Sequence, residues 1–431
     1  MTTRALAGLR VVEMTEAWAG PVGASLLGDM GADVVKVESY PRSSMTRPVR
    51  PREATMPGDG PPYERDALHH QGNRNKRNVC LDIRTEGGAE VLRRLIAGAD
   101  LFIEGYSSGT IERLGFGWDA VHEINPRACM ISLAGWGVAG LYAGKVTLGA
   151  GLDATCGHMS VRGYPDGPME DVRSNFHSDA TGAATTVCAA ITALEQRERT
   201  GEGCFTDFSQ WEGLVWQFPG LLSEWTMNGR LPDRLGNRDP HIVPHGVYRA
   251  SGDDEWVAVA AEDDEQWAAL ASALGHGEWA REPHAWATLT GRLRAREAVD
   301  RAITTATRER SAFDLAEAVQ AAGAICAPVV SSSQVLMSPQ LQAREWNHII
   351  EHRWTGPAMV GGFLWQVEPD PLTWDRPTAL VGEHNEEVLI ELGYSAPEIA
   401  DLLSAGAIAD GYPQPGGAPR SPGLQRRAGD S

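Results

Sequence analysis

Among the 431 residues of this chain, the strongest chemical signal is Asp179, in the run Phe176-His177-Ser178-Asp179-Ala180-Thr181-Gly182. The run opens a long Ala- and Thr-rich segment, Ala183 to Arg199, which stops at Thr200-Gly201-Glu202-Gly203. This pattern predicts a helix with Asp179 at its mouth. There a carboxylate faces unpaired backbone N–H groups and the positive end of the helix dipole, and both favour its ionised form. An ionised carboxylate held in a cleft can act as a nucleophile. An acidic residue at such a place is commonly a cap and nothing more, so the rest of the chain has to decide.

Two other sets of residues invite a chemical reading. His241 and His245 bracket Ile242-Val243-Pro244. Their spacing suits metal ligands on a helix, but Pro244 opposes a regular helix through both. They read as packed histidines at a domain junction, and no metal site is expected. Cys80, Cys129, Cys156, Cys188, Cys204 and Cys326 form no C-x-x-C pair. They read as reduced, mostly buried thiols without a disulfide framework.

The elements that must position Asp179 follow from pattern. Arg10-Val11-Val12-Glu13-Met14 is a short buried strand, Thr15 to Gly20 a loop, and Pro21 opens a helix running to about Met30. Asp33-Val34-Val35-Lys36-Val37 is the next strand. This β-α-β opening is Rossmann-like, but Thr15-Glu16-Ala17-Trp18-Ala19-Gly20 lacks the G-x-G-x-x-G of a dinucleotide site. Residues 41–70 are rich in Pro, Gly and Arg and read as a surface excursion. Regular structure restarts at Leu81-Asp82-Ile83, followed by a helix from Glu86 to Ala99 and buried strands at Leu101-Phe102-Ile103 and Met130-Ile131-Ser132-Leu133. Strands alternating with helices imply a parallel sheet. A smaller α+β texture begins near Gly246, with helices near 263–274, 289–306 and 310–322. The expected fold is α/β: a Rossmann-like N-terminal part over 1–228, a small α+β domain over 229–330, a linker and return to the large domain over 331–408, and a disordered tail over 409–431.

Composition narrows the function classes. Net charge is -19 and the pI about 5.1, which argues against nucleic-acid and anionic-membrane partners. No run approaches the ~18 apolar residues of a membrane span, and Met1-Thr2-Thr3-Arg4-Ala5-Leu6 has no signal-peptide core. The expected location is the cytoplasm.

Several fragments converge on one family. They are Leu6-Ala7-Gly8-Leu9-Arg10-Val11-Val12-Glu13, Ala19-Gly20-Pro21, Gly31-Ala32-Asp33-Val34-Val35-Lys36-Val37-Glu38, Asn75-Lys76-Arg77-Asn78 with Leu81-Asp82, Gly182 through Gly203, and Val381-Gly382-Glu383-His384-Asn385. In this order the chain resembles the class III CoA-transferases, also called the CaiB/BaiF family, over most of its length. The resemblance implies a large domain built from both chain ends, a smaller domain between them, and an interlocked homodimer, with pairing to an unlike, related subunit as an alternative. It implies acyl-CoA and carboxylic acid substrates, with no tightly bound cofactor. It assigns the nucleophile to Asp179, in Asp179-Ala180-Thr181-Gly182. CoA would contact Arg84, Tyr106, Arg113 and Lys145, with Leu81 at the adenine end.

Departures from formyl-CoA transferase bear on the substrate. Trp18 stands where that enzyme has a polar amide, Ser39 where it has a basic residue, and no glycine-rich flap follows Gly236. Trp18 and the missing flap suit a larger, less polar acyl group than formate or oxalate; the substrate-pocket candidates are Trp18 and, at the domain junction, His241 and His245. The competing reading is a 2-methylacyl-CoA racemase of the same fold. Racemases carry Gly-His-Asp before the catalytic region, whereas Lys145 to Asp153 contains no histidine. The site therefore favours transfer over racemisation.

Overall fold

The computed structural model describes residues 4–47 and 54–412. Six strands form the main sheet: β1 (Arg10–Met14), β2 (Asp33–Ser39), β3 (Lys76–Leu81), β4 (Leu101–Glu104), β5 (Cys129–Ser132) and β6 (Phe205–Asp207). Their order is β3-β2-β1-β4-β5-β6, and every neighbouring pair is parallel. Both faces are covered, which is why the strands read as unbroken apolar runs. Period-two alternation splits them between two cores. Val12, Val35 and Phe102 pack with Val91, Leu92 and Ile96 of the helix α2 (Glu86–Ala97). Val11, Val34 and Leu101 pack with Leu26 and Leu27 of α1 (Ala19–Asp29) and with Val187 and Ala190 further along the chain.

Some elements depart from the sequence pattern. Helix α1 begins at Ala19, so Pro21 is its third residue rather than its first. Strand β3 begins at Lys76, upstream of the expected restart at Leu81. Its first half is Lys76-Arg77-Asn78, polar by type yet buried, so apolar patterning misses it. The described parts of 41–70 are not a plain surface excursion. Arg47 is buried and paired with Glu38 at 2.8 Å and with Glu64, and His69 and His70 are buried on a short helix, Ala67–Gly72. These charges neutralise one another in space, which composition alone cannot reveal. Ala409 and Tyr412, expected to begin a disordered tail, are buried, and Tyr412 donates to Glu38 at 3.2 Å. Residues 413–431 lie outside the described residues.

The chain forms two compact units. The first holds the segments up to Gly157, Ser174–Gly220 and the stretch from Glu345. Besides the main sheet it contains α3 (Gly149–Thr155), α4 (His177–Thr200) and an antiparallel hairpin, Asn347–His352 with Gly356–Gly361. The second holds His158–Arg173 and Leu221–Arg344. Its sheet is antiparallel: β7 (His245–Arg249), β8 (Trp256–Ala260) and β9 (Ile325–Val329). Its core is Val257, Trp267, Leu270, Val299 and Leu315.

The order of the main sheet fixes where a ligand fits. From β1 the chain winds outward through β2 and β3; from β4 it winds the other way through β5 and β6. The two loops leaving the carboxyl ends of β1 and β4 therefore part, opening a crevice at this switch point.

Candidate functional site

A cavity of about 520 Å³ lies at that crevice. The loop after β1 (Thr15, Glu16, Ala17) lines it, with the first residues of α1 and with Gly105 to Ser108 after β4. Lys145, Gly149, Gln210 and Asp179 complete the wall.

Asp179 sits in the first turn of α4. Its half-buried carboxylate lies near the backbone N–H of Ala19, the first residue of α1, which favours the ionised form, and accepts from Ser178 Oγ at 3.5 Å. The nucleophile candidate thus faces the start of one helix while belonging to the first turn of another. The expected net effect was to favour the ionised form. The net direction is instead upward: burial raises the carboxyl pKa, Ala19 and Ser178 pull it back, and Asp153 of α3 raises it further. Desolvation outweighs the hydrogen bonds, leaving a poorly solvated carboxylate.

Close approach around this carboxylate depends on Gly149, where a Cβ would collide with Asp179 Oδ2 and sit 3.0 Å from Ser178 Oγ. Two non-glycine residues adopt left-handed backbone just ahead of the paired groups. Ala17 (φ 64°) precedes the Ala19 amide, and Phe176 (φ 54°) precedes Asp179. Such conformations cost roughly 1–2 kcal/mol each and collect at functional sites.

A second cavity of about 240 Å³ is lined by Leu81, Arg84 and Tyr106. Glu16, Arg42, Tyr106 and Thr110 border both cavities, which are therefore adjoining parts of one groove from Leu81 to Asp179. Tyr106, Leu81, Arg84 and Lys145 all front this groove. Arg84 is held by Asp82 at 2.9 Å, and the Lys145 ammonium lies 4.4 Å from the centre of the Tyr142 ring. Arg113 lines neither cavity; it donates to Thr110 Oγ1 at 2.9 Å, one residue back from the wall.

Sequence reading missed three groups here. Arg42 and Glu16 stand at the neck between the cavities, where burial raises Glu16 while Lys36 and Arg42 pull it down. The loss of a basic residue at Ser39 pointed to a missing charge, and Arg42 supplies one from the same loop. Glu104, at the end of β4, accepts from Ser132 Oγ and from the Tyr106 N–H at 2.8 Å, and burial pushes it up to about 7. Its carboxylate holds the turn that presents Tyr106.

The substrate-pocket candidates fall away from the groove. Trp18 lines a separate cavity of about 410 Å³ with Ala180, Trp346 and Trp374. It is the N-cap of α1, and of the residues around it Ala17 and Ala19, not Trp18, line the Asp179 cavity. The expectation of a large apolar acyl group rested partly on Trp18 and loses that support. His241 and His245 belong to the second unit, and neither lines the Asp179 cavity. His245 Nδ1 bonds the Asn237 carbonyl at 2.8 Å, and His241 is exposed. Among the described residues no three His, Cys, Asp or Glu side chains form a metal-binding group, and no helix is long and apolar enough to cross a membrane.

Comparison with known proteins gives a consistent result. The model of CoA-transferase family III matches residues 6–385. The chain is 28% identical over 411 residues to the succinyl-CoA–D-citramalate CoA-transferase of Chloroflexus aurantiacus, covering 93% of this chain and 97% of that one. It is 30% identical over 428 residues to the formyl-CoA:oxalate CoA-transferase of Streptomyces coelicolor, covering 95% and 100%. Among solved structures it is similar to a CaiB/BaiF family protein from Brucella suis, with a TM-score of 0.81, 28% identity, and coverage of 91% and 100%.

Proposed function

This chain belongs to CoA-transferase family III, and from that membership we propose that it moves CoA from an acyl-CoA donor, such as succinyl-CoA, to a carboxylic acid through covalent intermediates on Asp179. The observation that carries the reading is the desolvated Asp179 carboxylate, facing the Ala19 N–H inside the groove.

The chemistry uses what the groove holds. An Asp179 oxygen attacks the thioester carbonyl, the carbon–sulfur bond breaks, and CoA leaves as a thiolate from a mixed anhydride. The thiolate attacks the aspartyl carbonyl, releasing the donor acid and leaving an aspartyl-CoA thioester. The incoming carboxylate attacks that thioester, and the released thiolate then takes the new acyl group and frees Asp179. One thioester replaces another, so no ATP is consumed, and one hard step is divided into easier ones. When the aspartyl carbonyl becomes tetrahedral its oxygen gains charge, and the nearby Ala19 N–H can donate to it. A poorly solvated carboxylate sheds less water to attack.

The elongated groove suits CoA, with Leu81 and Arg84 at the nucleotide end. Lys145 and Gln210 put polar groups on the wall of the Asp179 cavity. That wall, and the small polar acids named for the relatives above, support a short, polar acyl group. No histidine lines the Asp179 cavity among the described residues, which weighs against α-proton exchange by an Asp–His pair. The protein is read as an interlocked homodimer acting in the cytoplasm; size-exclusion chromatography with light scattering tests the dimer.

The test of function is chemical. The protein is incubated with succinyl-CoA and quenched with hydroxylamine, and the peptide carrying residue 179 is weighed. An adduct on Asp179, absent in Asp179→Ala together with a transfer loss of at least about 10³-fold, is expected. Undiminished transfer in Asp179→Ala, or deuterium exchange at the α-carbon of a 2-methylacyl-CoA without an adduct, would sink the mechanism.

A further inference from the structure

Near the carboxyl end of β1, in the middle of β2 and at the first residue of β3 lie three ionisable side chains that the mechanism does not use. Glu13, Lys36 and Lys76 are all buried, and none lines the groove. Lys36 Nζ donates to Glu13 Oε1 at 3.0 Å and to the Thr15 carbonyl at 2.9 Å. Lys76 Nζ donates to Glu13 Oε2 at 2.7 Å and to the Pro21 carbonyl at 2.7 Å. Thr15 Oγ1 also donates to Glu13.

The two lysines therefore grip the backbone on either side of Ala19, one upstream at Thr15 and one downstream at Pro21. Glu13 is the anion that ties them together. The gripped segment is also tight within itself, because the Thr15 side chain occupies the space a Cβ on Gly20 would need. A buried ion pair is seldom better for stability than well-packed apolar side chains. What apolar side chains cannot do is hold two carbonyl oxygens at fixed points.

We infer that Glu13, Lys36 and Lys76 form a positioning cluster that holds the Ala19 amide against Asp179. The inference rests on the reading of Asp179 as nucleophile. The cluster touches no reacting atom; it acts through the loop after β1. Misplacing one preorganised donor weakens attack and intermediate stabilisation without weakening CoA binding, which depends on the far end of the groove.

The experiment compares Lys36→Met, which keeps chain length but removes the ammonium, with Lys36→Arg, which restores a cation. The full-length protein is assayed for CoA transfer across pH. In Lys36→Met, kcat is expected to fall about 10- to 100-fold while KM for the acyl-CoA stays within about 2-fold. The acid limb of kcat/KM is expected to move to higher pH, because the Ala19 N–H no longer lowers Asp179. Ser178 of α4 and Asp153 of α3, with Lys145 and Arg42 along the cavity wall, are unchanged in the variant; Glu16 on that wall loses the downward pull of Lys36, so the same pair is also measured in a Glu16→Gln background, where the acid-limb shift is expected to persist. Lys36→Arg is expected to recover part of kcat and of the acid limb. If Lys36→Met fails to fold, Thr15→Val, which removes the hydroxyl bond to Glu13, is expected to give the same split at smaller size. A fall in kcat that only tracks the folded fraction, with the acid limb unmoved, overturns the cluster's role. Retained transfer in Asp179→Ala would instead overturn the nucleophile reading.

Discussion

In the second unit, Arg292 and Thr307 are the buried polar side chains among the described residues, and the core is otherwise built from side chains such as Val257, Trp267 and Leu315. In the first unit, by contrast, Glu13, Lys36, Glu38, Arg47, Glu64 and Lys76 are all buried. Both sheets have apolar interiors, so folding alone does not call for the second arrangement. The charges gather where strands hand over to loops, and loops expose carbonyls and amides that apolar packing leaves unsatisfied. Buried charge in this molecule marks where loop geometry has to be held, and it carries a vulnerability that an apolar core lacks.

The largest test of that contrast is Glu13→Leu. It leaves two buried ammoniums without their counter-ion and should cost about 3–5 kcal/mol, read as a lower urea midpoint. A variant as stable as the parent would mean that the lysines need no anion, and the contrast between the units would fail. Acid provides a gentler version. Burial would raise the Glu13 pKa, but Lys36 and Lys76 hold it at about 2, below its ordinary value of 4.5. Burial also pushes Lys76 down, to about 7, but its Glu13, Pro21, Gly72 and Asn73 acceptors favour the ammonium. A depressed carboxylate gives its full stabilisation above its unfolded value and loses it as pH falls through the folded one. Between pH 4.5 and 2 the first unit should therefore lose about 3 kcal/mol from Glu13. Peptide-resolved hydrogen exchange should show β1 and β2 losing protection before β8 and its neighbours. The reverse order would break the comparison.

How much of this was legible depended on whether a residue's environment is local. Strands β1, β2 and β4 could be read because Val11-Val12, Val34-Val35 and Leu101-Phe102-Ile103 bury both faces and declare it by type. Strand β3 could not, because Lys76 and Asn78 are buried against partners far along the chain: Glu13, and Glu38 at 2.7 Å from Asn78. The place of Asp179 was readable from the helix that follows it. The upward shift of its pKa was not, because the groups that desolvate and bond it arrive from α1 and α3. Trp18 misled because the loop's sequence does not say which of Ala17, Trp18 and Ala19 turns toward the groove.

A third test disturbs the site while leaving the charges alone. Gly149→Ala puts a methyl group where the Asp179 carboxylate now lies. The carboxylate has to shift, and a misplacement of about 1 Å can cost on the order of 100-fold in kcat. Gly149 is the partly exposed first residue of α3, ahead of its buried Leu152 and Asp153, so stability should change by less than about 1 kcal/mol. Together with Glu13→Leu this separates the two functions of the first unit: one variant loses rate and keeps its urea midpoint, the other loses the midpoint. If Gly149→Ala lost both in proportion, the Asp179 site and the buried framework would be one cooperative structure.

The smallest expected effect contrasts two arginines of one segment. Arg47 is buried, bonded to Glu38, Glu64 and the Ala379 carbonyl at 2.7 Å; it belongs to the framework. Arg42 is exposed at the neck of the groove, on the wall of both cavities. If CoA lies along the groove as proposed, a cation there meets the part that crosses from the nucleotide end to the thioester end, and the diphosphate is the charged group in that stretch. Arg42→Gln should raise KM for an acyl-CoA about 10-fold, with kcat and urea midpoint unchanged. The same variant should show no KM change with the matching acyl-pantetheine, which lacks the diphosphate. It should show the full change with acyl-dephospho-CoA, which keeps it. A KM effect that persists with acyl-pantetheine would place Arg42 on the acyl group instead, and one that vanishes with dephospho-CoA would place it on the 3′-phosphate. Exposed charge in the first unit then selects the ligand, while buried charge a few residues away only holds the frame.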